Sequence, residues 1–234
     1  PSYDRLHKVR PLLSPLVASW KTAYHPRREV SVDESIVAFK GRSSMIVYKP
    51  NKPHKWGLNA WVLAEVKTGY MWNMELYTGK KNEPEVGMTK QVVTNLCEPI
   101  YNTGHHVYMD NYFSSPALFL ELKVNQLGAC GTLRTNHIGV PARIKSAKLT
   151  KKKSDTVVDR DADNLLYIAW FDKHQVTLIS SVHNSQSFEK SVRTRNVPDH
   201  RRVVQKPIAI ELYTRYMQGV DRADQLLWYK LSTH

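Results

Sequence analysis

Three stretches of the 234-residue chain carry aspartates whose types and setting could act together in one site. Asp33 interrupts the run Val30 to Arg42, in which Val30, Val32, Ile36 and Ala38 fall on every second position, the period of a strand. Asp has low strand propensity, and a charge taken out of water must be paired or bound to metal. Asp110 ends a second short apolar run, Asp221 and Asp224 lie in a helical pattern near the end of the chain, and their spacing of three puts them on one helix face. Such a set suits metal-assisted phosphoryl transfer. That reaction needs an oxygen nucleophile near neutral pH and an offset for the charge gathering on phosphorus. Two divalent cations about 3.5–4 Å apart supply both. Mg2+ (or Mn2+) takes hard oxygen ligands, so Asp33, Asp110 and Asp221 are the candidate ligands.

Plainer roles stay open beside this one. Asp110 before Asn111 suits a turn initiator, and Asp221 and Asp224 suit a solvated helix face. Glu34 faces away from Asp33 and is structural. His105 and His106 are adjacent, a poor geometry for joint metal binding on a strand. No Ser-His-Asp set, phosphate-cradling glycine loop or zinc-type Cys/His pattern stands out.

The formal net charge of +13 points to nucleic acid or another acidic surface as partner. Residues 136–207 hold fourteen Lys and Arg against seven Asp and Glu, so +7 of the +13 lies in under a third of the chain. Lys151, Lys152 and Lys153 form one basic run, and Arg193, Arg195, Arg201 and Arg202 a second. Lys49, Lys52 and Lys55 form a third cluster in a loop with two prolines, either a solvated turn or a basic finger reaching a phosphate backbone. Cys97 and Cys130 are too few and too isolated for a disulfide scaffold or a zinc site, which suits a reducing compartment, cytosol or nucleus. No apolar run approaches transmembrane length, so no membrane partner is expected. The chain begins at Pro1 without a Met and stops soon after its last helical pattern, as expected of a piece of something longer.

The elements that must position these side chains follow from periodicity. Residues 2–25 read as helix interrupted at Pro11 and Pro15, and residues 29–40 as a strand closed by Gly41. A loop over 48–57 precedes strands at 58–66 and 70–77, a helix over 85–101 and a strand over 105–110. Ser115-Pro116 opens a helix expected to stop at Gly128, and residues 129–133 form a further strand. A hairpin spans 165–182 around Asp172 to His174, and one last helix spans 207–229. Three strands followed by helix, strand, helix, strand is the arrangement of an RNase H-like sheet, an α/β fold. By analogy with that fold, not from spacing, the first strand lies beside the fourth, and Asp33 and Asp110 become neighbours. The chain then divides into a helical segment 1–27, core 28–136, a basic insertion 137–206 containing the hairpin, and core again at 207–234.

Five blocks in order, Ser31 to Arg42, Tyr48 to Gly57, Tyr108 to Pro116, Gly131 to Asn136 and Tyr216 to Gln225, resemble the successive motifs of piggyBac-type transposases. The resemblance implies a cut-and-paste DNA transposase of the DDE/D class with an RNase H-like core, cutting at transposon ends, passing through hairpin intermediates and inserting at TTAA targets. It places the family's three catalytic aspartates on Asp33, Asp110 and Asp221, and a supporting aspartate on Asp224. Segment 1–27 would be the tail of an N-terminal dimerisation and DNA-binding domain. The family's Cys-rich zinc-binding domain has no counterpart here, so zinc is not expected. A homodimer of the full-length protein in the nucleus is implied. So is a rival: a domesticated, non-catalytic DNA- or chromatin-binding descendant. The chain departs from the family at Gln218-Gly219, where Gly-Gly is frequent.

Overall fold

A computed structural model describes residues 4–50, 52, 54–79, 87–149, 155–193 and 201–232. The chain folds into two compact units, one of Pro1–Ile100 with Met217–His234, the other of Tyr101–Tyr216.

The first unit is built on strand β1 (Glu29–Ala38) and strand β3 (Trp56–Glu65), paired antiparallel with Asp33 opposite Val62. The short strand β2 (Ile46–Tyr48) and strand β4 (Met71–Leu76) both pair with β3. Prolines and lysines obscure β2 in the sequence, because only three residues carry its pattern. Gly69, with a positive φ of 73°, makes the β3–β4 turn that its position predicts. Helix α1 (Arg10–Ala23) runs through Pro15. Pro15, the sixth residue, cannot donate to the Pro11 carbonyl and crowds it, yet the helix continues past it. Helix α2 (Met88–Cys97), continued by a 3-10 turn to Ile100, buries Val92, Val93, Leu96 and Cys97 on one stripe.

The second unit carries a mixed sheet. Strand β5 (His106–Met109) runs parallel to β6 (Gly128–Thr132), joined through helix α3 (Pro116–Val124). Antiparallel strands β9 (Gln175–Ser180), β8 (Leu166–Phe171) and β7 (Thr156–Arg160) follow in that spatial order. The predicted hairpin is thus β8 and β9, and it extends the β5–β6 pair because β9 pairs directly with β6. Strands β10 (Ser187–Arg193) and β11 (Arg201–Pro207) pair only with each other, and the unit also holds helices α4 (Ala142–Lys145) and α5 (Ile208–Tyr216). Ser115 caps α3 as predicted, accepting from the Leu118 amide.

Gly128 does not stop that helix. Asn125 caps it, Gln126 takes the left-handed conformation at φ 55°, and Gly128 opens β6. A Cβ there would collide with the Val182 side chain and the His106 ring, so close packing, not helix termination, requires this glycine. The single last helix of the sequence reading is two helices, α5 and α6 (Gly219–Ser232). Their apolar stripe is continuous in sequence, but Met217 and Gln218 form a turn, and the halves belong to different units. Among the described residues no helix is long and apolar enough to cross a membrane.

Candidate active site

Strand alternation decides which way Asp33 points. Ser31, Asp33 and Ser35 share one face of β1, and their partners Ala64, Val62 and Ala60 continue that face on β3. Helix α6 covers it. Val220 packs into the cluster of Ala60, Val62 and Ala64, and a Cβ on Gly219 would collide with the Ser31 hydroxyl and press on the Val66 backbone. Glycine, serine and alanine let the helix lie close to the sheet. At the other end the Ser35 hydroxyl donates to Asp224 Oδ1 at 2.5 Å. Asp33 lies between these two attachment points, half-buried, its Oδ1 accepting from the Glu34 amide at 2.7 Å.

Asp221 and Asp224 share one helix face, as their spacing requires. Their surroundings differ. The Asp221 side chain is 59% exposed and Asp224 only 18%. Both reach one ammonium: Lys52 Nζ lies 3.9 Å from Asp221 Oδ1 and 3.9 Å from Asp224 Oδ2, while donating to the Glu34 carbonyl at 2.6 Å. Burial pushes the Asp224 carboxyl above its ordinary value and the Asp221 charge adds to this. The Ser35 hydrogen bond and Lys52 oppose it without reversing it.

Asp110 belongs to the second unit, at the carboxyl end of the parallel strand β5, a common location for ligand-binding groups in α/β sheets. Its Oδ1 accepts from the Tyr112 amide at 2.8 Å, and its carbonyl accepts from the Ser114 amide and hydroxyl. Asp110 therefore does initiate a turn, whatever else it does. Beside it an open groove of about 500 Å³ is lined by Asn111, residues 132–136 and residues 175–177. Exposed Arg134 is the cation of that groove. Spacing and charge gave no reason to select Arg134 from the motif Gly131 to Asn136; the fold does so by putting it beside Asn111.

The candidate basic contacts divide. Lys49 is bound to the Glu34 carboxylate at 2.8 Å, and Lys52 is bound to the Glu34 carbonyl and faces the α6 carboxylates, so both lie against the first unit's own charges. Glu34 alternates to the other face of β1, where its carboxylate holds Lys49. Lys55 and Arg201 are at the surface. Lys151, Lys152, Lys153 and Arg195 lie outside the described residues, as do the side chains of Arg193 and Arg202 on the β10–β11 hairpin. Lys190 and Lys206 of that hairpin both bind Glu211 of α5, at 2.7 and 2.8 Å.

Among the described residues, no three His, Cys, Asp or Glu side chains are gathered closely enough to hold a metal ion as they stand. The donor set itself fits a hard divalent cation: Asp33, Asp110 and Asp221 offer only carboxylate oxygens, with no thiolate or imidazole among them.

Comparison with known proteins agrees with the fold. Human PiggyBac transposable element-derived protein 3 is 28% identical over 239 residues, covering 95% of this chain and 38% of its own length. The human chimeric ERCC6-PGBD3 protein is also 28% identical, over 95% of this chain and 22% of its own length. The structure matches a chain of the piggyBac transposase synaptic complex with hairpin DNA at a TM-score of 0.78 and 24% identity, over 95% of this chain and 45% of that one. That likeness establishes the RNase H-like α/β fold, and the chain spans less than half of each of these relatives. A family model described as transposase IS4 matches residues 1–230. The chain belongs to the transposase IS4 family, with piggyBac-type relatives.

Proposed function

We propose that this chain is the catalytic core of a cut-and-paste DNA transposase of DDE/D type. Asp33, Asp110 and Asp221 would hold Mg2+ or Mn2+, and the bound cations would activate the attacking oxygen and offset the charge on phosphorus. Asp224 supports the site from α6 through Ser35. The observation that carries the proposal is the docking of α6 on β1, which lays the helix bearing Asp221 and Asp224 over the strand face that bears Asp33. DNA is the substrate, with transposon ends cut and TTAA sites receiving the insertion. The solved complex named for hairpin DNA and the charge of +13 both support DNA as the substrate; the transposon ends and TTAA target follow from the family resemblance. Arg134 and the basic runs, including Lys151 to Lys153, supply phosphate contacts. The active form is a nuclear homodimer of the longer protein.

Asp110→Ala in the full-length protein is expected to reduce Mg2+-dependent strand cleavage to background while DNA affinity stays nearly unchanged; undiminished cleavage overturns the role. Neutralising Lys151, Lys152 and Lys153 lowers the slope of log affinity against log salt by up to about one unit per lost phosphate contact. An unchanged slope assigns the run to a solvated arm. A relative named as transposable element-derived favours a second possibility, a domesticated DNA-binding platform without chemistry. On that alternative the wild-type protein binds DNA and cleaves nothing.

A further inference from the structure

The loop between β2 and β3 is fastened to β1 and α6 at three points. Lys49 Nζ binds the Glu34 carboxylate at 2.8 and 3.1 Å. The His54 ring stacks on Trp228 of α6, with centroids 3.5 Å apart. Between these anchors Lys52, only 21% exposed, donates to the Glu34 carbonyl and faces Asp221 and Asp224. A solvated basic finger would leave its ammonium groups in water, where a Lys side chain keeps its rotamer freedom. Here one is drawn inward over a pair of carboxylates. Long ion-pair distances of 3.9 Å on two sides describe a cation shared by the pair and tightly bound to neither.

We propose that Lys52 is a built-in counter-cation, occupying the acidic face of α6 until a divalent metal ion takes over the charge. It is a positioning residue: it keeps Asp221 and Asp224 oriented toward the site in the metal-free protein and withdraws when metal enters. The metal half of this proposal rests on the function proposed above; the counter-charge half does not. Because removal of a tethered ammonium removes a competitor, Lys52→Met should bind metal more tightly, whereas loss of an ordinary structural contact should bind it less tightly or equally.

Two measurements on the full chain test the two halves. In EDTA, Lys52→Met is expected to lower the melting temperature by about 2–4 °C in the wild-type background, and by much less in Asp221→Asn/Asp224→Asn. An equal loss in both backgrounds means that the Glu34 carbonyl alone holds Lys52, and overturns the counter-charge assignment. Mn2+ affinity, read from the electron paramagnetic resonance signal of free ion, is expected to rise by up to about fivefold in Lys52→Met. Lys52→Arg, which keeps the charge, should restore the wild-type value. Unchanged or weaker binding in Lys52→Met overturns the exchange. If neither wild type nor variant binds Mn2+, the metal-holding function and the exchange both fail, while the EDTA measurement still decides the counter-charge.

Discussion

Asp224 and Glu211 are both partly buried carboxylates facing lysine, and they are opposites. Glu211 on α5 is gripped by two ammonium groups at 2.7 and 2.8 Å, one from each strand of the β10–β11 hairpin. Those lysines hold its carboxyl down at about 2. Asp224 on α6 has one shared ammonium at 3.9 Å and a hydroxyl, and burial leaves its carboxyl raised. A carboxylate whose charge is fully matched by its own chain is a fastener. One whose charge is under-compensated has capacity left for a cation supplied from outside. Sequence charge counts do not separate the two, since both regions read as lysines near acids.

The largest effect that would break this comparison lies at Gly219. Any Cβ there meets Ser31 and the Val66 backbone, so Gly219→Val should push α6 off β1 and cost about 3 kcal/mol in chemical denaturation. A stable Gly219→Val protein with normal cleavage would mean that α6 need not lie close to Asp33. Next comes Glu211→Gln, which leaves two lysines without their carboxylate and should cost about 1 kcal/mol. Because the folded Glu211 carboxyl titrates at about 2 against an ordinary 4.5, its contribution is full above pH 4.5 and is lost as pH falls toward 2. The difference in melting temperature between wild type and Glu211→Gln should therefore shrink across that window; a constant difference would show that packing, not charge, fastens the hairpin. The smallest effect sharpens the contrast. Asp224→Asn keeps a side-chain oxygen for the Ser35 hydroxyl and removes a poorly compensated charge. Its melting temperature in EDTA should match the wild type or exceed it by about 1–2 °C. A clear loss would place Asp224 in the same class as Glu211.

How much was visible in advance differs between these regions. The strand carrying Asp33, the short strand leading to Asp110, the capped helix at Ser115 and the hairpin at 166–180 were all legible, because alternation, capping and turn residues are local signals. The shared face of Asp221 and Asp224 was legible for the same reason. Several features were not: the break between α5 and α6, the short strand β2, and the purpose of Gly128 and Gly219. Each depends on what packs against the segment, which nearby residues do not encode. The inward turn of Lys49 and Lys52 was hidden in the same way, since a lysine beside prolines looks solvated until the strand edge it lies on is known.

The sequence by itself determined the inventory: four aspartates in five ordered motifs, a strongly basic chain and the local elements that bear them. Only tertiary structure decided which charges are satisfied from within. It set a helix against a strand through glycine, serine and alanine, lent one lysine to two aspartates and gave two lysines to one glutamate. Compensation of charge depends on distances of a few ångströms between residues as many as 172 positions apart, as with Lys52 and Asp224, and no local pattern encodes such distances.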